Sequence, residues 1–470
     1  MGTQLHEDLR QLPQILQSAM QLGLQYLEGI DQRPTSVQHP NIVWPGLPLD
    51  GLGGAGAQQV FEKVFLPAIV ASSGPRYWGF VTGGTTPAAI AGDWLSAVFD
   101  QNTQSTTGTG DASALLELQT VQLLLDLFGL PGHFMGAFVT GATMANFSGL
   151  AVARQWVGQQ LQYDIARDGL RKDIKVFAGS PHSSSLKALA MLGIGSKQVV
   201  SVPLLHGREA MDTAALQQLL PADPSEPFII IASAGTVNTV DFDDFEAILS
   251  LRKSYNFWLH IDAAFGAFAA CSPAHSRLLQ GWEHADSITV DFHKWLNVPY
   301  DSAMIFTRKE HGRLQMQSFQ NSSAPYLGNP EEQFSYLNFV PENSRRFRAL
   351  PVWFTLMAYG KEGYRVLVEQ SIALANDLAA VIVETGYFHM AAPVRLNTVC
   401  FSVHPDYTER INQDKLLQYI NEEGKVFMTP TNYGGKPCIR AALVNFRTNP
   451  EDIGIAIISI KSAVQKILHP

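Results

Sequence analysis

Lys294 follows an apolar run directly. The stretch Ser287-Ile-Thr-Val-Asp-Phe-His-Lys-Trp-Leu-Asn297 reads as a short buried strand, Ser287 to Asp291, leading into His293, Lys294 and Trp295. An ammonium is costly to bury, and lysines are seldom fully buried unless paired. A lysine condensed with a carbonyl compound into an imine carries its charge in a conjugated, hydrogen-bonded system, and that is the chemistry Lys294 suits.

Four other stretches carry groups that such chemistry needs. Phe138-Val-Thr-Gly-Ala-Thr-Met-Ala-Asn146 places small residues, among them Ala142 and Thr143, at the start of a helix. Its free N–H groups and positive dipole end suit a phosphate; a plain turn and N-cap is the bland alternative. His182, in Gly179-Ser-Pro-His-Ser-Ser-Ser-Leu-Lys187, can stack on a flat ring or simply cap the helix behind it. Asp262 ends Trp258-Leu-His-Ile-Asp-Ala-Ala264, where it can hold a pyridinium nitrogen protonated, cap a helix or pair with a lysine. Ala263 and Ala264 leave room there for a planar ring. Thr236, closing Ala232-Ser-Ala-Gly-Thr236, brings a hydroxyl to the same edge. An imine-forming lysine, a phosphate cradle and a carboxylate for a ring nitrogen together point to pyridoxal 5'-phosphate (PLP), whose ring acts as an electron sink while its nitrogen stays protonated. The sequence shows no metal-ligand cluster, no GxSxG elbow, no Walker loop and no GxGxxG after a strand.

The elements that position these residues alternate. Apolar runs Gly136–Thr140, Ile174–Ala178, Val199–Pro203, Phe228–Ala232, Phe257–Ile261, Ser287–Val290 and Ala303–Thr307 alternate with helical segments such as Met144–Trp156, Ser184–Met191, Thr213–Leu220 and Asp244–Ser250. That pattern predicts an α/β domain with a mostly parallel sheet, whose ligands bind at the carboxyl ends of the strands. Three regions follow. Residues 1–75 form an arm, with a helix over Glu7–Gly29, an extended Arg33–Gly56 and a helix over Phe61–Val70. Residues 76–350 form the large domain. Residues 351–470 form a smaller α+β domain, with helices over Val352–Met357 and Gly363–Thr385, strands near Thr398–Val403 and Cys438–Val444, and a last helix from Pro450 to Leu468. The arm's lone amphipathic helix needs a surface to lie on, for which a second subunit is one source. The loop Ser72–Ala88 holds Tyr77, Trp78, Phe80 and Thr82 and reads equally well as a ligand wall or as a packed surface loop.

Composition narrows the function. The 470 residues are 46% hydrophobic and 16% charged, with a net charge of −9 and no Lys/Arg run, which argues against nucleic acid or an anionic membrane as partner. The three cysteines, Cys271, Cys400 and Cys438, form no CxxC pair, so a reducing compartment such as the cytoplasm is expected. No run approaches about eighteen uninterrupted apolar residues, so no membrane span is expected, and the polar N-terminus lacks a signal-peptide pattern.

On these residues the chain resembles the group II PLP-dependent amino acid decarboxylases, which act on aromatic amino acids, glutamate, histidine or diaminobutyrate and have the fold type I architecture. The resemblance runs from Tyr26 to the region of Arg440, and the pairing of Trp258–Ala264 with His293-Lys294-Trp295 is its most specific part. It implies that Lys294 carries the cofactor, Asp262 binds its ring nitrogen, and His182 and Ala264 cover its two faces. It implies that Ala142, Thr143 and His293 hold the phosphate, and that Thr236 contacts the cofactor or the substrate carboxylate. Phe80, Thr82 and Arg440 are the expected substrate contacts. Tyr336, nine residues before Arg345-Arg-Phe-Arg348, falls where a loop tyrosine that reprotonates the substrate carbon is expected. The implied assembly is a homodimer with its active site at the subunit interface and an L-amino acid as substrate. An aminotransferase or an aldehyde-forming oxidative decarboxylase is the alternative on the same fold, and Tyr336 argues against the aldehyde-former. Two departures stand out. Asp291 and Phe292 replace the Asn and Pro common before the His-Lys pair, and Asp291 is expected to point away from the phosphate. The loop from Asp100 to Thr109 is polar where aromatic-specific relatives are often apolar, which leaves the substrate open.

Overall fold

All seven apolar runs become strands in the computed structural model, which describes residues 3–38, 42–106, 111–320 and 334–469. They are β1 (Phe134–Val139), β2 (Val176–Ala178), β3 (Val199–Ser201), β4 (Phe228–Ser233), β5 (Phe257–Asp262), β6 (Ser287–Asp291) and β7 (Ala303–Arg308). They form one sheet in the order β1-β7-β6-β5-β4-β2-β3. Only β7 runs against its neighbours, pairing antiparallel with both β1 and β6, while β6, β5, β4, β2 and β3 pair parallel. Every residue of β4, β5 and β6 is buried, which is why these strands read as continuous rather than alternating apolar runs. One sheet edge therefore collects the carboxyl ends of β1, β2, β4, β5 and β6.

Helices Ala142–Gln160 and Ser183–Met191 lie together on one face of the sheet. Gly149 lets the first approach closely: a Cβ there would lie 2.8 Å from Ile305 and 2.9 Å from the His260 ring. That proximity brings the helix's first turn within reach of β5. The 36-residue helix Ala349–Glu384 is long and apolar enough to cross a membrane by length and composition, yet it packs along Pro87–Phe99 and Ser113–Phe128. It joins the two helical segments expected on either side of Gly360, which alone departs from helical geometry with φ 58°.

The C-terminal region adds β8 (Phe388–Met390), β9 (Thr398–Val403), β10 (Thr429–Tyr433) and β11 (Lys436–Ala442), an antiparallel sheet ordered β10-β11-β9-β8. The chain reaches it early. Trp78 is buried in this small domain's core, its backbone N–H donates to the Phe427 carbonyl, and Tyr77 stacks on Phe427 at 4.6 Å.

The N-terminal arm departs from expectation in detail. Its first helix is broken into Gln4–Arg10 and Leu12–Glu28, with Pro13 in the opening turn of the second, where its missing N–H costs nothing. The next helix spans Gly53–Val64 rather than Phe61–Val70, and Pro67 opens a separate short turn, Leu66–Ala68. None of the three helices buries a residue, and Leu5, Leu9, Leu16, Leu24, Trp44 and Leu47 are exposed.

Candidate active site

The shared strand edge opens into a cavity of about 360 Å³. Ten of the residues expected at the site line it: Phe80, Ala142, Thr143, His182, Thr236, Asp262, Ala264, His293, Lys294 and Arg440. Another hollow, between Tyr359, Val366 and Phe446, lies away from the strand ends, and no cation or carboxylate lines it among the described residues.

Lys294 projects from the turn after β6, with its Nζ 5.3 Å from the centre of the Phe265 ring and 3.9 Å from Asp291 Oδ2. The opposite wall is built for a carboxylate. Asp262 Oδ1 accepts from its neighbour's amide, Ala264 N, at 3.2 Å, and Oδ2 accepts from Asn146 Nδ2 at 2.9 Å and Ser185 Oγ at 3.4 Å. Asn146 Oδ1 meets His260 Nε2 at 2.9 Å, His260 Nδ1 meets Ser287 Oγ at 2.8 Å, and Trp258 Nε1 donates to Ser287 Oγ at 3.0 Å. One proton arrangement satisfies every link. The amide donates to Asp262, so its oxygen accepts from Nε2–H, and Nδ1 then accepts from Ser287. His260 is therefore neutral, and burial lowers its pKa to about 4 despite the nearby Asp262 charge. The chain of donors ends at Asp262, which holds it in place as an acceptor. Asn146, Ser185 and His260 were not singled out from the sequence. The signal for His260 was present, since Trp258, His260 and Asp262 alternate along β5 and share one face.

His182 fills both roles weighed for it. Its Nδ1 accepts from Ser184 N at 3.2 Å, capping helix Ser183–Met191, while its ring lines the cavity. Burial lowers its pKa, with Asp262 opposing and Lys294 and Arg440 reinforcing the shift. Arg440 enters from β11. Its Nη1 donates to Val237 O at 2.9 Å, its Nε has no hydrogen-bond partner, and no carboxylate lies within 4.0 Å of it among the described residues. Burial lowers its pKa as well.

Two expected contacts, Thr236 and Thr82, are placed in more detail by the structure, and two expectations, for Tyr336 and Asp291, need correction. Thr236 lines the cavity but brings no free proton to it. Its hydroxyl donates to Glu209 Oε2 at 2.6 Å and accepts from Asp241 N at 2.9 Å, so it can accept but not donate there. Glu209, unnoticed in the sequence, also binds Thr239 and Asn238 and fixes this turn. Thr82 lines the hollow that adjoins the Lys294 cavity, together with Tyr77, Phe80, His293 and Tyr300.

Tyr336 lies in neither hollow. It is fully buried against Ala137, Val139, Ala145 and Ile305, with the Arg345 guanidinium 4.4 Å from its ring centre. Arg345 is itself fixed by a buried ion pair with Glu117 at 2.7 Å and by bonds to the Thr103 and Phe138 carbonyls. Burial raises the Tyr336 pKa well above its usual value, and its hydroxyl has no hydrogen-bond partner among the described residues. Tyr336 therefore does not line the cavity and cannot discriminate there between amine and aldehyde formation. Tyr326, in the same upstream stretch, lies outside the described residues.

Asp291 does not point away. Its Oδ2 lies 3.4 Å from the Ala142 N–H at the opening of helix Ala142–Gln160, so the carboxylate occupies the cradle expected to hold phosphate. Its Oδ1 is 2.7 Å from His293 Nδ1 in a geometry that completes no hydrogen bond for either atom. Tyr300 packs on the His293 ring at 4.3 Å. The loop Phe80–Gly84 closes this side. Phe80 and Val81 are both left-handed, with φ 58° and 59°, a conformation uncommon for any residue but glycine and asparagine and costly for a β-branched one. Gly83 N donates to the His293 carbonyl at 2.9 Å, and a Cβ at Gly83 would fall 1.7 Å from the Lys294 carbonyl oxygen, so only glycine fits.

Comparison with known proteins agrees with this geometry. Residues 58–404 match the pyridoxal-dependent decarboxylase conserved domain. An aromatic-L-amino-acid decarboxylase of Bacillus atrophaeus is 30% identical over 408 residues, covering 84% of this chain and 82% of the relative. The solved structure of Oryza sativa TDC with PLP and tryptamine superposes with a TM-score of 0.88 at 22% identity, over 98% of this chain and 99% of that one. Rhodiola rosea 4-hydroxyphenylacetaldehyde synthase superposes with a TM-score of 0.85 at 19% identity, over 98% and 99%. These likenesses establish fold type I for the sheet described above.

Proposed function

The chain belongs to the pyridoxal-dependent decarboxylases, and from that premise we propose that it removes the α-carboxylate of an aromatic L-amino acid, releasing the amine and CO₂. The observation that carries the reading is that Lys294 and the hydrogen-bonded Asp262 line one cavity. The residues fit PLP. Lys294 suits its aldehyde, Asp262 its ring nitrogen, and His182 and Ala264 its faces. The start of helix Ala142–Gln160, with His293 on the same cavity wall, suits its phosphate. When bound, PLP supplies the carbonyl that joins the amine and the electron sink for the pair left as CO₂ departs.

The protein's own groups do the rest. Asp262, anchored through Asn146 and His260, would keep a bound ring nitrogen protonated. Arg440, which lines the cavity, supplies a positive charge for a substrate carboxylate. His182, whose depressed pKa favours the neutral ring, can take or hold a proton within the cavity it lines. The adjoining hollow supports an aromatic side chain: Tyr77, Phe80, Val298, Pro299 and Tyr300 line it, and its lining includes no carboxylate among the described residues for a basic side chain to meet.

The bare apolar faces of the three arm helices support a homodimer. The three unpaired cysteines are in keeping with a cytoplasmic setting. The deciding experiment is an absorbance spectrum of wild type beside Lys294→Ala, followed by a panel of phenylalanine, tyrosine, tryptophan, glutamate and 2,4-diaminobutyrate scored for CO₂, amine and aldehyde. A visible band lost in the variant and CO₂ from the aromatic members are the expected results. No band after addition of PLP would end the reading, and CO₂ from glutamate or diaminobutyrate alone would end the aromatic assignment.

A further inference from the structure

Asp291 stands where its charge is least expected. Its side chain is 3% exposed, and it faces the helix start that the proposed function assigns to the cofactor phosphate. The groups around it are few. From its own segment, Lys294 Nζ lies at 3.9 Å and His293 Nδ1 at 2.7 Å. Helix Ala142–Gln160 contributes the Ala142 N–H. Tyr300 and His182 feel its charge from neighbouring loops, and burial with the Asp291 charge pushes the Tyr300 phenol up to about 12. Asp262 and Arg440 line the same cavity farther off. Oδ1 is buried without a hydrogen-bond partner among the described residues. A phosphate on the Ala142 amide would thus meet a carboxylate already bonded to that amide, and two like charges in one dry cradle repel strongly.

We infer that Asp291 couples cofactor uptake to a proton: the carboxylate takes one proton from solvent as the phosphate enters and then donates that O–H to a phosphate oxygen. The step balances as carboxylate plus H⁺ plus phosphate dianion giving a neutral carboxyl hydrogen-bonded to the dianion. In this state Asp291 offers a donor where an asparagine would offer its N–H. Cofactor affinity therefore falls as pH rises, because the required proton becomes scarcer, and Asp291→Asn removes that dependence. The inference rests on the PLP reading above.

The test uses pyridoxine 5'-phosphate, which lacks the aldehyde and so cannot bond to Lys294, beside unphosphorylated pyridoxine. Titration calorimetry in buffers of different ionisation enthalpy counts protons directly. Wild type should take up about one proton more than Asp291→Asn per pyridoxine 5'-phosphate bound. The ratio of wild-type to variant Kd should grow about tenfold or more between pH 6 and pH 8, with the variant tighter throughout. Pyridoxine should bind both proteins alike, which guards against a misfolded variant. Equal proton uptake, or a Kd ratio that does not change with pH, overturns the inference while leaving the decarboxylase reading intact. A wild type that binds neither PLP nor pyridoxine 5'-phosphate overturns both.

Discussion

Replacing Asn146 by leucine, similar in size but unable to hydrogen-bond, cuts the chain that ends at Asp262. Asn146 Nδ2 donates to the Asp262 carboxylate at 2.9 Å, and its Oδ1 accepts from His260 at 2.9 Å, with all three side chains buried. Losing a hydrogen bond to a charged group costs about 1.5–3 kcal/mol, and stranding the buried His260 N–H costs about 1–3 kcal/mol more, so the native state should lose ~3–5 kcal/mol. The share that falls on Asp262 bears on the cofactor, whose affinity should weaken by roughly 10- to 150-fold. Urea denaturation of the cofactor-free protein reads the first quantity, and a spectroscopic PLP titration reads the second. Ser185→Ala, which removes a longer contact of 3.4 Å, should show a smaller version of both. A variant within about 1 kcal/mol of wild type and with unchanged PLP affinity would refute the reasoning, because Asp262 would then be held by something other than this chain.

Three further outcomes follow from the same geometry. His260 is neutral in the native state with a pKa of about 4, while unfolded histidine titrates near 6.5. The unfolded chain therefore binds a proton that the native state refuses as pH falls from about 6.5 toward 4, and stability should drop by ~3 kcal/mol across that window. Denaturation midpoints at pH 7 and pH 5 should show this slope in wild type and not in His260→Gln. Tyr336→Phe removes a buried hydroxyl without a partner among the described residues, so stability should hold or rise and the amine-to-aldehyde ratio should stay within about twofold. Product analysis beside Tyr326→Phe tests whether the reprotonating tyrosine lies elsewhere in that stretch. Arg345→Met strands the Glu117 carboxylate in the core and should cost ~3–5 kcal/mol by chemical denaturation.

The large sheet was legible because buried parallel strands leave unbroken apolar runs, and each chemical group sat just after one. The small sheet was read less fully. β10 carries the sequence Thr-Pro-Thr-Asn-Tyr on an exposed sheet edge, and that signals a turn as readily as a strand. Within the site, spacing along one chain identified Lys294 and Asp262. It could not show the Asn146 bridge, which depends on how closely a helix lies on β5. Tyr336 misled because distance from Arg345 in sequence says nothing of direction, and the cation buried beside it turns it inward. Asp291 was expected to avoid the phosphate on grounds of repulsion alone. The Ala142 N–H that it faces belongs to a helix about 150 positions away in sequence, beyond the reach of local reasoning.

The segment from Tyr77 to Gly83 has a mechanical consequence. At one end Trp78 is built into the small domain's core, and at the other Gly83 is hydrogen-bonded to the peptide just before Lys294. Fewer than ten residues of taut chain thus lash the C-terminal domain to the backbone of the lysine. A rocking of that domain is a pull on the reactive amine's own footing. A longer or softer tether, such as an insertion after Phe80, would uncouple the two and let the lysine drift from its aim while every side chain in the cavity stayed the same.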